Sequence, residues 1–130
     1  MDERYERGSE RIAEVHGRAQ RRVVEAWGDL GRYVISFAYG ELYGRPGLSL
    51  RDRELAAVAM LAVLGREAQL KAHLAAALRA GLSAGELEEL VIHTVPFAGF
   101  PAAIAAHQAL REVLARERPG GPGGTGSGSG

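Results

Sequence analysis

The sequence predicts an all-α fold, and three observations lead to that prediction. Apolar residues recur with a helical period, good helix caps stand at the ends of several segments, and no segment shows the apolar–polar alternation of a strand. The connections between the predicted helices are short, which favours antiparallel neighbours. We therefore expect a compact bundle of about five to six helices.

The first half of the chain predicts three helices and one loop. Residues 4–16 are mostly charged with sparse apolar positions, which is typical of a surface or partner-facing helix, and residues 20–39 carry a helical apolar period. Residues 40–49 contain three glycines and a proline, so they predict a loop. Ser49 is a good N-cap for a helix over about 50–64, which is apolar nearly all round and should be central.

The second half predicts three further helices. Gly65 marks a break, and Gly81 occupies the position after a helix where glycine is favoured. The segment Ser-Ala-Gly-Glu at 83–86 is a complete capping box. We expect helices over 67–80, from this box to about Val95, and over 102–117, with a rigid turn at 96–101.

Composition limits both the domain organisation and the chemistry. We expect one domain over residues 1–118 and a flexible Gly/Pro/Ser tail over 119–130, part of it an added linker. The 16 basic and 16 acidic residues are scattered, which favours neither nucleic acid nor a membrane as a partner. The chain has no cysteine, which excludes disulfides, thiolate metal sites and thiol redox chemistry. The charged first residues lack the apolar core of a signal peptide, so we expect a cytoplasmic location.

Four histidines are candidates for proton transfer. His16 and His107 lie among polar or alanine-rich neighbours and are predicted to face solvent. His73 and His93 lie on apolar helices, where each could be a core histidine bonded to a backbone carbonyl or a functional group. The residue types alone leave both interpretations open.

Helix geometry connects His73 with Glu54. If the helices on either side of Gly65 are antiparallel, Glu54 lies roughly 17 Å from the turn and His73 roughly 11 Å, an offset of about 6 Å that side chains or one water can bridge. A carboxylate beside an imidazole fixes its tautomer and prepares it for proton transfer. Alternatively, Glu54 pairs with Arg51 or Arg53.

Two loops complete the set of candidate pieces. The segments 44–48 and 98–101 are turns rich in glycine and proline, and loops at helix ends are places where pockets form. Arg45 is a plausible anion ligand because a guanidinium binds a carboxylate through two parallel hydrogen bonds. Taken singly, none of these pieces is specific.

Taken together, these pieces resemble the carboxymuconolactone decarboxylase family. The shared elements are an aromatic-x-x-Gly-Glu segment at 37–41, Arg-Pro-Gly-Leu at 45–48 and Arg-Glu-Leu at 53–55. An alanine-rich helix follows, and then come Leu-x-x-His at 70–73, Ala-x-x-x-Gly at 77–81, Glu-Leu-x-Glu at 86–89 and Ala-Gly-x-Pro at 98–101. The resemblance covers roughly residues 7–115 and implies a fold like that of the alkylhydroperoxidase AhpD.

The resemblance also separates two branches of the superfamily. The peroxidase branch carries Glu-x11-Cys-x2-Cys-x3-His, and in this chain the glutamate falls on Glu54 and the histidine on His73. Arg66 and Gln69 stand at the two cysteine positions. A disulfide-exchange peroxidase needs two thiols, so a thiol peroxidase is excluded.

The remaining branch implies a decarboxylase that needs no metal or other cofactor. Its substrate class is a small carboxylated lactone in aromatic-acid breakdown by way of 3-oxoadipate. The resemblance implies that Glu54 orients His73, that His73 or His93 handles the proton, and that Arg45 and Arg53 anchor carboxylates. Phe97, at a substrate-binding position where members often have tyrosine, removes a phenol hydroxyl and puts the particular substrate in doubt.

The resemblance further implies a homo-oligomer, commonly a hexamer built as a trimer of dimers. The apolar stripes of the second and third predicted helices agree with this, because they exceed what one small domain easily buries. The alternative function is a non-catalytic relative that binds a small metabolite or serves as an oligomeric scaffold. Loss of turnover in a His73→Ala variant would separate an enzyme from such a relative.

Overall fold

The computed structural model describes residues 2–117, and every regular element in that range is helical. The all-α prediction is therefore confirmed, whereas the predicted tail at 119–130 lies outside the described residues. The elements are α1 (Glu3–His16), α2 (Arg18–Glu25), α3 (Asp29–Tyr33), a π-helical segment (Val34–Leu42), α4 (Leu50–Leu64), α5 (Glu67–Arg79) and α6 (Ala84–Glu117).

The chain divides into two compact units, Met1–Arg53 and Glu54–Gly130. The boundary falls inside α4, so the first turn of that helix belongs to the first unit and the rest to the second. The single domain expected over 1–118 stays a prediction.

The first unit is organised by the close approach of α1 to the π-helical segment. Ile12 and Val15 of α1 are buried, and Ile35 of the π-helical segment is fully buried. Two glycines permit this approach: a Cβ on Gly8 would lie 2.9 Å from the Gly40 nitrogen and closer still to the Ile35 carbonyl, and one on Gly40 would meet the Arg4 carbonyl. The two backbones therefore touch where neither residue has a side chain.

The helix predicted over 20–39 is wrong in its continuity. The chain turns at residues 26–28, where Gly28 has φ 68°, a conformation that favours glycine, and α3 then runs into the π-helical segment. In that segment the bonds have the wider i→i−5 pattern, as in Tyr43 N–H to the Ala38 carbonyl at 2.9 Å. The apolar period predicted one continuous helix, but many of the apolar side chains that form it are exposed in the single chain, including Leu30 and Phe37.

The connection into α4 is shorter than predicted, because the π-helical segment extends to Leu42 and leaves residues 43–49 as the loop. The predicted N-cap is confirmed: the Ser49 hydroxyl accepts a hydrogen bond from the Asp52 N–H at 3.0 Å. This cap fixes where α4 begins, and so fixes the positions of Arg53 and Glu54 on its first turns.

The second unit has one apolar core built from α4, α5 and α6. Alanines are numerous in it, and small side chains let helix backbones approach closely. The buried members are Val58, Ala62, Leu70, Leu74, Ala77, Leu82, Leu87, Val91, Ala103, Ala106, Ala109, Leu110 and Val113.

The predicted termini around α5 and α6 are confirmed. After α5, Gly81 has φ 105° and its N–H reaches the Leu78 carbonyl, as expected of a glycine-terminated helix. The capping box is reciprocal: Glu86 N–H donates to the Ser83 hydroxyl at 3.0 Å, and Ser83 N–H donates to the Glu86 carboxylate at 2.9 Å.

The rigid turn predicted at 96–101 is wrong in extent. Helical backbone continues through Pro96, and only Gly99 departs from it, with φ 89° and ψ 169°. A proline costs a helix one hydrogen bond but holds φ near the helical value, so the break falls at the glycine. Pro101 then stands near the start of the second half, where its missing N–H costs nothing.

By length and composition, α6 could cross a membrane. One such helix is a weak indication, because the core helix of a globular protein passes the same test. Buried residues lie along α6 on both sides of Gly99, from Leu87 to Val113.

The close approach at Gly8 generates a stability prediction. Gly8→Ala should lower the free energy of unfolding by about 1–3 kcal/mol, because the new methyl group overlaps backbone atoms that cannot move aside. Urea denaturation at fixed protein concentration measures the change. Gly47→Ala is the matched control: a Cβ there has no heavy atom within 4 Å, and stability should change little. Equal stability of the two variants would contradict the close approach.

Candidate active site

Glu54 is a buried acidic residue of the second unit, and the candidate site is built around it. It lies on α4, and its side chain is 0% exposed. Among the described residues, the only other buried polar side chain is Thr94, whose hydroxyl donates to the Leu90 carbonyl in its own helix. A carboxylate removed from water is costly unless hydrogen-bond donors replace the lost water, so Glu54 requires a partner.

His73 of α5 is that partner. Its Nδ1 lies 2.7 Å from Glu54 Oε1, a short distance typical of a charge-assisted hydrogen bond, and 19 residues separate the two in the chain. The imidazole is 16% exposed, so its ring bridges a buried carboxylate and the protein surface. The predicted proximity of the pair is therefore a direct contact, with no water between them.

The hydrogen bond sets the tautomer of His73. When Nδ1–H donates to the carboxylate, the remaining ring nitrogen, Nε2, is the one that can take up and release a proton. The carboxylate also holds the ring plane in one orientation. This arrangement suits proton transfer at Nε2 of His73.

His93 and Phe97 lie elsewhere on α6 and contact each other. Their ring centroids are 5.2 Å apart at an interplanar angle of 75°. His93 is exposed in the single chain, so it is not a core histidine there. In residues 2–117, no hydrogen bond or ring contact joins His93 to Glu54 or His73.

Arg45 and Arg53, the predicted carboxylate anchors, belong to the first unit. Arg53 Nη2 donates to the Arg45 carbonyl at 2.9 Å, so the helix start holds the loop backbone. Within the described part of the chain, the Nε of Arg53 is buried and has no hydrogen-bond partner. The two arginines therefore meet through the side chain of Arg53 and the backbone of Arg45. The guanidinium of Arg45 lies at the surface.

A second imidazole contact was missed by the sequence analysis. His16, predicted to face solvent, is half-buried, and its Nε2 lies 2.8 Å from the Tyr39 hydroxyl. Tyr39 is buried and stacks on Tyr43, with centroids 4.5 Å apart. No local pattern could have shown this pair, because 23 residues separate its members and it depends on how α1 packs. His107 is exposed, as predicted.

A metal site requires several ligating side chains that converge on one point. Between residues 2 and 117, no three His, Asp or Glu side chains converge in a way that could hold a metal ion.

Comparison with known proteins shows which family this chain belongs to. Residues 28–112 match the Carboxymuconolactone decarboxylase family. The chain is also 38% identical over 118 residues to a protein named 4-carboxymuconolactone decarboxylase from Acinetobacter baylyi (strain ATCC 33305 / BD413 / ADP1), with 87% of this chain and 88% of that protein covered. The chain therefore belongs to the carboxymuconolactone decarboxylase family. The resemblance read from the motifs is confirmed.

The Glu54–His73 hydrogen bond can be measured by a double-mutant cycle. Glu54→Gln, His73→Ala and the double variant should give a coupling free energy of about 1.5–3 kcal/mol, because each single change removes one side of a charge-assisted hydrogen bond to a buried carboxylate. The measurement is denaturant unfolding of the four proteins under identical conditions. The matched cycle of Glu54→Gln with His107→Ala should give coupling near zero. A coupling near zero in both cycles would show that the contact does not stabilise the fold.

Proposed function

We propose that this chain is a cofactor-free decarboxylase that acts on a small carboxylated lactone in the breakdown of aromatic acids. The observation that carries the proposal is the hydrogen bond between buried Glu54 and partly exposed His73, in a chain of this family. The relative from Acinetobacter baylyi is named 4-carboxymuconolactone decarboxylase, and the alignment with it spans most of both chains.

The substrate class explains why an imidazole and a carboxylate are enough. When the carboxylate leaves as CO2, its carbon–carbon bond breaks and the electron pair moves through the ring double bond onto the lactone carbonyl oxygen. The resulting dienolate then takes one proton at carbon. The protein has to bind the carboxylates, stabilise the oxyanion and supply that proton.

His73 is the proposed proton donor. With Nδ1 bonded to Glu54, the ring would deliver its proton from Nε2 to the dienolate carbon. Donation leaves a neutral imidazole, and the imidazolium is restored when Nε2 takes up a proton from solvent, which the partial exposure of the ring permits. A general acid of this kind contributes typically about 10²–10⁴-fold to a rate.

Glu54 is proposed as a positioning residue. It lies behind the ring with no exposed surface of its own, so it would act through His73 and not on the substrate. Its charge would also stabilise the imidazolium before the proton leaves. Loss of a supporting group of this kind typically costs about 10–100-fold in activity.

The other site residues keep the roles predicted from the sequence. Arg45 and Arg53 are proposed as carboxylate anchors, because guanidinium groups bind carboxylates with matched geometry. His93 is the alternative proton donor, and Phe97, which contacts it, is proposed to face the substrate.

We also propose that the protein works as a homo-oligomer, and as a hexamer built from three dimers by analogy with the family resemblance. Large apolar side chains that are at least 60% exposed in one chain support assembly, because monomers rarely expose so much apolar surface. They are Leu30, Met60, Leu64, Ile92, Phe97 and Phe100.

The alternative, a non-catalytic family member that binds a metabolite or acts as a scaffold, predicts the same assembly. It differs in predicting no CO2 release and a His73→Ala variant that changes stability alone. Turnover therefore decides between the two.

The first test is CO2 release from freshly prepared 4-carboxymuconolactone. The parent should release CO2, and His73→Ala should lower kcat by at least about 10²-fold because the proton donor is lost. His107→Ala, an exposed histidine in the same unit, is the control and should retain full activity. Absence of release by a folded parent would reject the proposed function.

Positioning by Glu54 has its own readout in the same assay. Glu54→Gln should lower kcat by about 10–100-fold with little change in KM, and Glu54→Asp should restore part of the loss. A purely structural role would instead lower the folded fraction, measured by circular dichroism, and would leave kcat per folded chain unchanged.

Assembly is tested by light scattering after size-exclusion chromatography. Phe100→Glu should lower the oligomer mass, because a charge placed on an exposed apolar position opposes its burial at an interface while leaving the core of the chain intact. Glu88→Lys, an exposed polar position on the same helix, should keep the parent mass. A monomeric parent would contradict the proposed assembly.

A further inference from the structure

The first unit contains a cleft whose lining is strongly basic. It has a volume of about 270 Å³ and is lined by Arg7 and Arg11 of α1, by Tyr39, Gly40 and Glu41 of the π-helical segment, and by Gly44 and Arg45 of the loop that follows. Three of its seven lining residues are arginines, and they come from both sides of the cleft.

The one acidic lining residue is already neutralised. Glu41 binds Arg4, with Nη1 and Oε1 2.8 Å apart, and this hydrogen bond raises the pKa of the Arg4 guanidinium above its ordinary value. Glu41 therefore does not cancel the charge of the three arginines that line the cleft, which keeps a net positive charge.

The three arginines hold only weak partners of their own. Arg7 lies 3.8 Å from Glu3 and Arg11 lies 3.7 Å from Glu14, and both carboxylates are largely exposed. Ion pairs this long and this exposed contribute little. In the described range, Arg45 pairs with no carboxylate, and its hydrogen bonds are made by its backbone: its N–H donates to the Leu42 carbonyl and its carbonyl accepts from Arg53.

The walls of the cleft are held in place by contacts that do not involve a ligand. Arg11 donates to the Tyr43 carbonyl at 3.2 Å, which ties α1 to the loop. Tyr39 is fixed by its hydrogen bond with His16 and by stacking on Tyr43. Binding would therefore order few additional groups, which favours affinity.

We propose that this cleft binds a small dicarboxylate, with Arg7 and Arg11 receiving one carboxylate and Arg45 the other. Arg7 and Arg11 are four residues apart on α1, so they share one face of the helix, and Arg45 lies across the cleft on the loop. Guanidinium groups bind carboxylates through charge-assisted, often bidentate hydrogen bonds. The volume suits a molecule at the small end of the usual ligand range.

Under this proposal, Arg7 and Arg11 bind the ligand together with the predicted anchor Arg45. Both lie outside the part of the chain that matches the family, which covers residues 28–112. In that respect it deepens the proposed function and rests on it. Binding itself is independent of turnover, and so it is tested with a dicarboxylate that cannot undergo the reaction.

The test is isothermal titration calorimetry of the full chain with adipate. We expect a dissociation constant of about 1 mM or lower at low salt, weakening as ionic strength rises, and no binding of the neutral diamide of the same length. Arg7→Gln and Arg45→Gln should each weaken adipate binding by about tenfold. Arg22→Gln, an exposed arginine of the same unit outside the cleft, is the matched control.

Arg11→Gln is not a suitable test of binding, because the hydrogen bond from Arg11 to the Tyr43 carbonyl also supports the fold. Equal affinity of Arg7→Gln, Arg45→Gln and the control, or adipate binding weaker than about 10 mM in the parent, would overturn the proposal. Lost CO2 release with adipate binding that still depends on the arginines would instead reject the decarboxylase and keep the cleft.

Discussion

The constraint on which the second unit depends is the burial of the Glu54 carboxylate. A carboxylate with no exposed surface requires a donor at close range, and the chain supplies it from the helix that follows, through His73. The turn at Gly65 and the lengths of α4 and α5 therefore have to bring residues 54 and 73 side by side. A shift of one residue in either helix would rotate its side chain by about 100° and break the hydrogen bond between Glu54 and His73.

This constraint also has a chemical consequence. One imidazole nitrogen is committed to Glu54, so any reaction at His73 has to take place at the other nitrogen, on the side of the ring that is partly exposed. The same hydrogen bond that serves the buried carboxylate thus also fixes the orientation of the imidazole ring. Thr94, the other buried polar residue in the described part of the chain, bonds within its own helix and leaves this orientation to the Glu54–His73 pair.

Sequence reasoning succeeded where the determining interactions are local. The Ser49 cap, the reciprocal Ser83–Glu86 box and the glycine after α5 each depend on a few consecutive residues. The Glu54–His73 contact was also accessible, because one short turn and the rise of an α-helix locate both residues along their axes. The His16–Tyr39 pair was not, since it depends on the packing of α1 against a π-helical segment whose hydrogen-bond pattern no residue pattern indicated. The turn around Gly28 was missed for a related reason: an apolar period continues across it and masks the change in backbone.

The remaining differences between the predicted and the observed structure share one physical cause. A helical period of apolar residues indicates that these residues are buried, but it does not indicate whether the same chain or a second copy buries them. Leu30 and Phe37 follow the apolar period of residues 20–39 and are exposed in the single chain, as is His93 on its otherwise apolar helix. Such side chains would lose several tens of Å² of water contact each on assembly, and at about 25 cal/mol per Å² that is a large driving force when summed. Under the proposed assembly the sequence pattern and the structure agree, because the stripe then faces a second copy and not the chain's own core. In that case exposed His93 and Phe97 would gain contacts from another chain, whereas the hydrogen bond between Glu54 and His73 forms within one chain.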